Sequence, residues 1–209
     1  STYGADTVRL YTLFIGPPER DAEWCDKGVE GAYRFLGRVW RMVKQIPKFN
    51  LPPSSPQQAD SKIQDLRRKT HQTIKKVTDD MEGDFHFNTA ISAIMELVNE
   101  TYKFQAACSD RPEDRGLQLE AVKEAARTVV ILLSPFAPHI TEELWQILGN
   151  QGSIFETPWP GYQPEILKQE EMTIVIQING RLKQRLRLPA DVKDDRLKTA
   201  ALNDKKIKD

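Results

Sequence analysis

The sequence predicts a mainly α protein, an antiparallel helical bundle followed by a small α+β domain that opens on a β-hairpin. Three observations carry this reading. Apolar residues recur near every 3.6 positions in four long stretches before residue 134. Proline- and glycine-bearing breaks separate those stretches. At Met172 the period falls to 2.

The most informative stretch is residues 25–46. Val29, Ala32, Tyr33, Leu36, Val39, Trp40 and Val43 fall within about 60° of one line on a wheel of 100° per residue. Arg34, Arg38, Arg41 and Gln45 occupy the opposite side. Two readings of these arginines stand open: a solvated face, or a surface that meets phosphates. Arg34 and Arg38 are also placed to pair with acids of the bundle.

Before this helix, Asp6, Val8, Leu10, Tyr11 and Phe14 mark a first helix with an acid near its positive end. Gly16-Pro17-Pro18 stops it, since proline offers no amide hydrogen. A polar loop then ends in Trp24, expected as a packing anchor. Residues 46–58 hold four prolines and two serines and read as a loop. A long helix over residues 60–82 follows, with Ile63, Leu66, Thr70, Ile74, Val77 and Met81 inward. Arg68 and Lys75 lie outward on it, flanked by Lys69 and Lys76, and Gly83 breaks it.

Asn88 is expected to cap the next helix, which buries Phe87, Ala90, Ile91, Ile94, Leu97, Val98 and Thr101 and runs to about Ala107. Pro112 sits in a turn where a fourth helix begins. That helix carries Leu119, Val122, Ala126, Val129, Val130 and Leu133 on one side, and Ile131 and Leu132 make its end apolar all round. Pro135 and Pro138 redirect the chain into a short helix that ends at Gly149. Helices of about 20 residues are ~30 Å long, and short connections make neighbours antiparallel.

Residues 151–171 read as a linker that packs Trp159 on the bundle. Met172, Ile174, Ile176 and Ile178 alternate with Thr173, Val175 and Gln177, and Asn179-Gly180 signals a hairpin. Two registers compete. A two-residue turn pairs Ile178 with Arg181. A three-residue turn pairs Ile178 with Leu182 and Ile174 with Leu186, and gives one apolar face. In either, Arg181, Lys183, Arg185 and Arg187 share a side, at repeats of about 6–7 Å along the strand. Pro189 ends that strand, and residues 194–203 read as a short helix.

Composition bounds the function. The 209 residues are 39% hydrophobic and 29% charged, and 30 basic side chains balance 30 acidic ones. A nucleic-acid role must therefore rest on local patches. Cys25 and Cys108 are too few for a disulfide framework and lack metal-ligand spacing. No signal-peptide pattern or membrane-length apolar run is present. The chain opens on Ser1 and almost at once on a helical pattern, which reads as a piece of a longer protein. His71, His86 and His139 lie far apart, no glycine-rich phosphate loop occurs, and the adjacent Glu142 and Glu143 point about 100° apart on a helix. These two read as first-turn acids and His139 as a local hydrogen-bonding residue. No catalytic residue and no metal site is expected.

The runs Tyr3-Gly-Ala-Asp-Thr-Val-Arg-Leu and Pro17 to Arg41 closely resemble bacterial-type leucyl-tRNA synthetases. Phe87 to Asn99, Leu133 to Trp145 and Val175 to Leu182 extend the resemblance in order over nearly the whole chain. It implies a class I synthetase anticodon-binding bundle, residues 25–150, preceded by a connecting helix and loop, 1–24. A linker, 151–171, and a truncated C-terminal tRNA-binding domain, 172–209, would follow. The signatures His-Ile-Gly-His and Lys-Met-Ser-Lys-Ser are absent. The resemblance therefore implies tRNA positioning without catalysis.

It further implies tRNA(Leu) and the catalytic domain of the same polypeptide as partners, ATP and Mg2+ as cofactors of the whole enzyme but none in this chain, and a cytoplasmic monomer with no membrane role. Contacts would go mostly to phosphate and sugar, since the family does not depend on anticodon bases. The residues that physics selects for this are Arg34, Arg38 and Arg41, with Arg181, Lys183, Arg185 and Arg187 as a second row. Against the family pattern the C-terminal domain would lack its later strands, so residues after about 170 are expected to be mobile unless docked. A matching piece of a valyl or isoleucyl enzyme, and a helical protein-interaction module without RNA binding, are the alternatives. An exposed apolar groove on the bundle would favour the last.

Overall fold

The computed structural model describes residues 2–16, 23–46, 61–83, 85–108, 115–167, 171–178 and 181–189. Contacts divide the chain into two compact units, Ser1–Gln163 and Pro164–Asp209. The first holds α1 (Ala5–Phe14), α2 (Asp26–Lys44), α3 (Ser61–Glu82), α4 (Phe87–Ala107), α5 (Arg115–Leu133), α6 (Pro138–Ile147) and a 3-10 turn (Ile154–Glu156). The second holds a single-turn α7 (Pro164–Leu167) and strands β1 (Glu171–Ile178) and β2 (Arg181–Pro189). The expected loop 47–58, the turn at 109–114 and the helix at 194–203 lie outside the described residues.

In the helical unit α3 packs on α4 and α5, α4 on α5, and α1 on α2 and α4. One core runs through them, with Leu10, Val39, Met42, Ile91, Leu97, Leu132, Phe136 and Leu144 fully buried. The end of α5 is buried all round from Thr128 to Ser134, as its unbroken apolar run requires.

On α2 the structure corrects the expected stripe. Val29, Ala32, Leu36, Val39 and Val43 are buried, but so are Phe35 and Met42, while Tyr33 is 52% exposed and Trp40 half-buried. The buried arc is turned by about 50° on the helical wheel. Apolar candidates flank the stripe on both edges, and only the position of neighbouring helices decides which edge is covered. The same cause leaves Val8 of α1 exposed and buries Thr7 instead.

Helix ends are also settled by tertiary partners. Helix α4 begins at Phe87 with His86, not Asn88, at the cap position. Asp6 of α1 reaches the start of α6, where Oδ2 accepts the Ile140 N–H at 2.7 Å and Oδ1 lies 2.8 Å from His139 Nδ1. A carboxylate there satisfies an orphan amide and meets the positive helix end, an effect of about 1 kcal/mol. Glu142 and Glu143 therefore lie in the second turn of α6 rather than its first. Glu142 instead accepts from Ser153 Oγ at 2.9 Å and from the Ile154 N–H at 3.0 Å.

Trp24 is not buried as an anchor. It is 60% exposed, with its ring 5.1 Å from Tyr11 edge-on and its Nε1 donating to Asp26 Oδ1 at 2.9 Å. Trp159 does dock on the helices, through a 2.9 Å hydrogen bond to Thr78 Oγ1. Nearby, buried His71 accepts the Gln163 N–H at Nδ1, 3.1 Å away, and its Nε2 lies 3.3 Å from Glu124 Oε1.

In the second unit β1 and β2 pair antiparallel. Ile174 lies opposite Leu186 and Thr173 opposite Arg187, yet Ile178 lies opposite Arg181. Both competing registers are thus present, each on its own side of a shift between Ile176 and Gln177 that leaves Lys183 as the extra residue. The register of Ile178 opposite Arg181 holds next to the loop, and that of Ile174 opposite Leu186 holds beyond the shift. The basic row does not keep one alternation. Arg185 and Arg187 pair with odd-numbered positions of β1, and Arg181 with an even-numbered one.

Candidate nucleic-acid interface

Helix α2 displays Arg34, Arg38 and Arg41 away from the core because the opposite side of the helix is filled by Val39, Met42 and Val43. Over the seven residues from Arg34 to Arg41 the helix rises about 10 Å, so the three guanidiniums form a stripe along two turns. Arg34 lies 3.4 Å from Glu30, one turn back on the same helix, with both side chains largely exposed. Such a pair is worth a few tenths of a kcal/mol and yields readily to a phosphate.

Arg38 pairs with no acid among the described residues. Its Nη2 donates to Asn99 Oδ1 at 2.7 Å and its guanidinium lies 5.1 Å from the centre of the Tyr102 ring. The Tyr102 hydroxyl in turn donates to the Arg38 carbonyl at 2.8 Å. Two neutral groups of α4 therefore fix the position of Arg38, and neither offsets its charge. Arg41 is exposed and makes no ion pair among the described residues. Lys44 extends the stripe, its ammonium 5.6 Å from the centre of the Trp40 ring.

The basic residues of α3 behave differently. Arg67 pairs with Glu124 at 2.9 Å, Lys69 with Glu96 at 2.7 Å, Lys75 with Asp79 and Lys76 with Asp80 at 2.5 Å, and Arg68 with Asp65. The hydrogen bond that Lys75 donates to Asp79, together with the negative charge of that carboxylate, holds the Lys75 ammonium above its ordinary pKa. Helix α3 is thus a salt-laced surface with its charge cancelled locally. Helix α2 carries a less neutralised basic face than α3.

Between α2 and the starts of α1 and α6 lies an open groove of about 880 Å³, lined mostly by apolar atoms. Its walls include Tyr33, Trp40 and the three arginines of α2. The sequence concealed this groove, because Tyr33 and Trp40 fit the apolar series and so read as core. The support that Asn99 and Tyr102 give to Arg38 was equally hidden, since both sit on another helix. Among the described residues no group of His, Cys, Asp and Glu could hold a metal ion, and no helix is long and apolar enough to cross a membrane.

Residues 64–199 match the family model described as the anticodon-binding domain of tRNA ligase. The chain belongs to this family of anticodon-binding domains. It is 48% identical over 212 residues to a leucine–tRNA ligase of Desulfatibacillum aliphaticivorans, covering 98% of this chain and 24% of that protein. It is 46% identical over 206 residues to the leucine–tRNA ligase of Pseudothermotoga lettingae, covering 99% and 24%. Among solved structures it is similar to the LeuRS of Agrobacterium radiobacter in a ternary complex with tRNA and LeuAMS, at TM-score 0.77 and 29% identity, covering 99% of this chain and 26% of that one. The chain spans about a quarter of the length of the relatives it matches.

The leucine ligases are the relatives that the Pro17 to Arg41 run pointed to. That run contains α2 and with it the arginine stripe.

Proposed function

We propose that this chain is the tRNA-holding part of a leucine–tRNA ligase and that it grips the tRNA backbone through Arg34, Arg38 and Arg41. The observation that carries this is the contrast between α2, whose three arginines meet one exposed acid among the described residues, and α3, where Arg67, Arg68, Lys69, Lys75 and Lys76 are each matched by an acid and Lys62 donates to the Ala107 carbonyl. The reading takes residues 25–150 as the bundle, 1–24 as its connector, 151–171 as a linker and 172–209 as a C-terminal tRNA-binding domain. The protein is taken as a cytoplasmic monomer. Leucine activation with ATP and Mg2+ would belong to the polypeptide outside this chain, which spans about a quarter of the length of the relatives.

The open groove beside α2 is the feature that would favour a protein-interaction module. Its arginine border argues for RNA instead, because phosphate is the complementary charge.

Binding to leucine, valine and isoleucine tRNA transcripts at two salt concentrations tests the reading. Salt-sensitive binding that favours the leucine tRNA is expected. Salt-sensitive binding without preference would assign selectivity to the rest of the polypeptide, and no binding at low salt would sink the proposal. Arg181, Lys183, Arg185 and Arg187 are proposed as a second backbone contact. Reversing Arg185 and Arg187 to glutamate should weaken binding and reduce the salt slope by about 1 per lost contact. An unchanged slope would remove this row from the interface.

A further inference from the structure

We propose that the groove beside the arginine stripe takes an unpaired, unstacked nucleotide of RNA, with its base against Tyr33 and its phosphates on Arg34 and Arg38. The inference rests on the reading of α2 as a tRNA-binding face and adds that the face reads an unpaired nucleotide as well as backbone.

A surface that only tracks a duplex backbone needs cations and hydrogen-bond donors. It has no use for exposed aromatic rings in a concave site. Here Tyr33 is 52% exposed in the middle of a bundle helix, and the groove it lines is mostly apolar. Its contact with Tyr3 is edge-to-face, with centroids 5.6 Å apart and planes at 64°, which leaves ring surface open. Trp40 forms the next part of the wall and is backed by the Lys44 ammonium. One turn of helix separates Arg34 from Arg38, and Asn99 and Tyr102 hold Arg38 without neutralising it.

Open aromatic surface flanked by cations is the arrangement that binds single-stranded nucleic acid. The ring stacks on a base face, and the cations hold the adjoining phosphates. A cavity of about 880 Å³ is ample for one nucleotide. An apolar peptide would bring no acid to Arg38 and Arg41, whereas a phosphate would, so charge complementarity selects RNA.

The test uses the full chain with a leucine tRNA transcript and a fully paired hairpin RNA of similar charge. Tyr33→Ala should lower tRNA affinity about tenfold with the salt slope unchanged, because no charge is lost. Affinity for the paired RNA should stay the same, and Tyr33→Phe should restore tRNA binding. The ring is half exposed, so far-UV circular dichroism should not change. Equal losses on both RNAs would overturn the inference, as would no loss on either while reversal of the three arginines still weakens binding. In that last case the α2 face would remain a backbone contact. Arginine reversals without effect would instead overturn the underlying function. A shift in sedimentation on Tyr33→Ala without change in RNA binding would mark the groove as a contact between copies, which also overturns it.

Discussion

Reversing Arg34, Arg38 and Arg41 together to glutamate should lower tRNA affinity about 100-fold at moderate salt. Exposed ion pairs contribute about 1 kcal/mol each at the upper end, and each 1.4 kcal/mol is tenfold in affinity. Three lost contacts therefore come to about two decades, and the new carboxylates add repulsion. The salt slope should fall by about 2–3 units, since each phosphate contact contributes slightly less than one. Binding isotherms at several salt concentrations read both quantities.

The comparison variant is Lys75→Gln on α3. Lys75 is already matched by Asp79 at 2.5 Å, so its removal should change the slope little. An equal effect from both helices would mean that net charge alone governs binding and that the α2 stripe has no special role. Stability is not at issue for Arg34 and Arg41, which are exposed. Arg38 is tied to Asn99 and Tyr102, so circular dichroism on the triple variant should accompany the titration.

How much of this was legible in the sequence follows from the range of each interaction. Periodicity located the helices because burial of a stripe is decided within a single element. Ile91, Ile94, Leu97 and Val98 of α4 were expected inward and are fully buried. Boundaries depend on other elements, and there the sequence was less informative. Asn88 had the chemistry of a cap, but the position went to His86. Asp6 was expected near the positive end of its own helix, and its carboxylate serves α6 as well. The carboxylate that meets Arg34 was within reach of an i, i+4 search, whereas the amide and ring that hold Arg38 are more than 60 residues away in sequence.

The edge of the α2 stripe was the most consequential miss. Tyr33 and Trp40 fit an apolar series and were read as core, which hid the groove they line. The hairpin shows the opposite case. The sequence supported two registers, each with its own physical reason, and the strand accommodates both by inserting Lys183.

Gly28→Ala should destabilise the helical unit by about 1–2 kcal/mol, although alanine is the better helix former. Within a helix the exchange alone gains up to ~1 kcal/mol. At Gly28, however, an added Cβ would lie 2.5 Å from Tyr11 Cε2 and 3.3 Å from Cδ2. The ring has little room to retreat. Tyr11 is 4% exposed, its hydroxyl accepts the Cys25 N–H at 2.8 Å, and Trp24 lies against its edge. Displacing it costs the ~1–3 kcal/mol typical of overpacking and disturbs the entry into α2, which outweighs the propensity gain.

Gly31 supplies the internal control. It lies on the same helix, and an added Cβ there meets nothing within 4 Å. Gly31→Ala should therefore stabilise by roughly 0.5–1 kcal/mol. Thermal melts resolve the pair, since ~1 kcal/mol moves Tm by about 2–4 °C at this chain length. In a Tyr11→Leu background the smaller side chain frees the space beside Gly28. The cost of Gly28→Ala should then shrink, while the effect of Gly31→Ala should not change. Equal Tm shifts for the two alanines, or a Gly28 cost indifferent to Tyr11, would show that the Tyr11 ring is not what requires glycine at the start of α2.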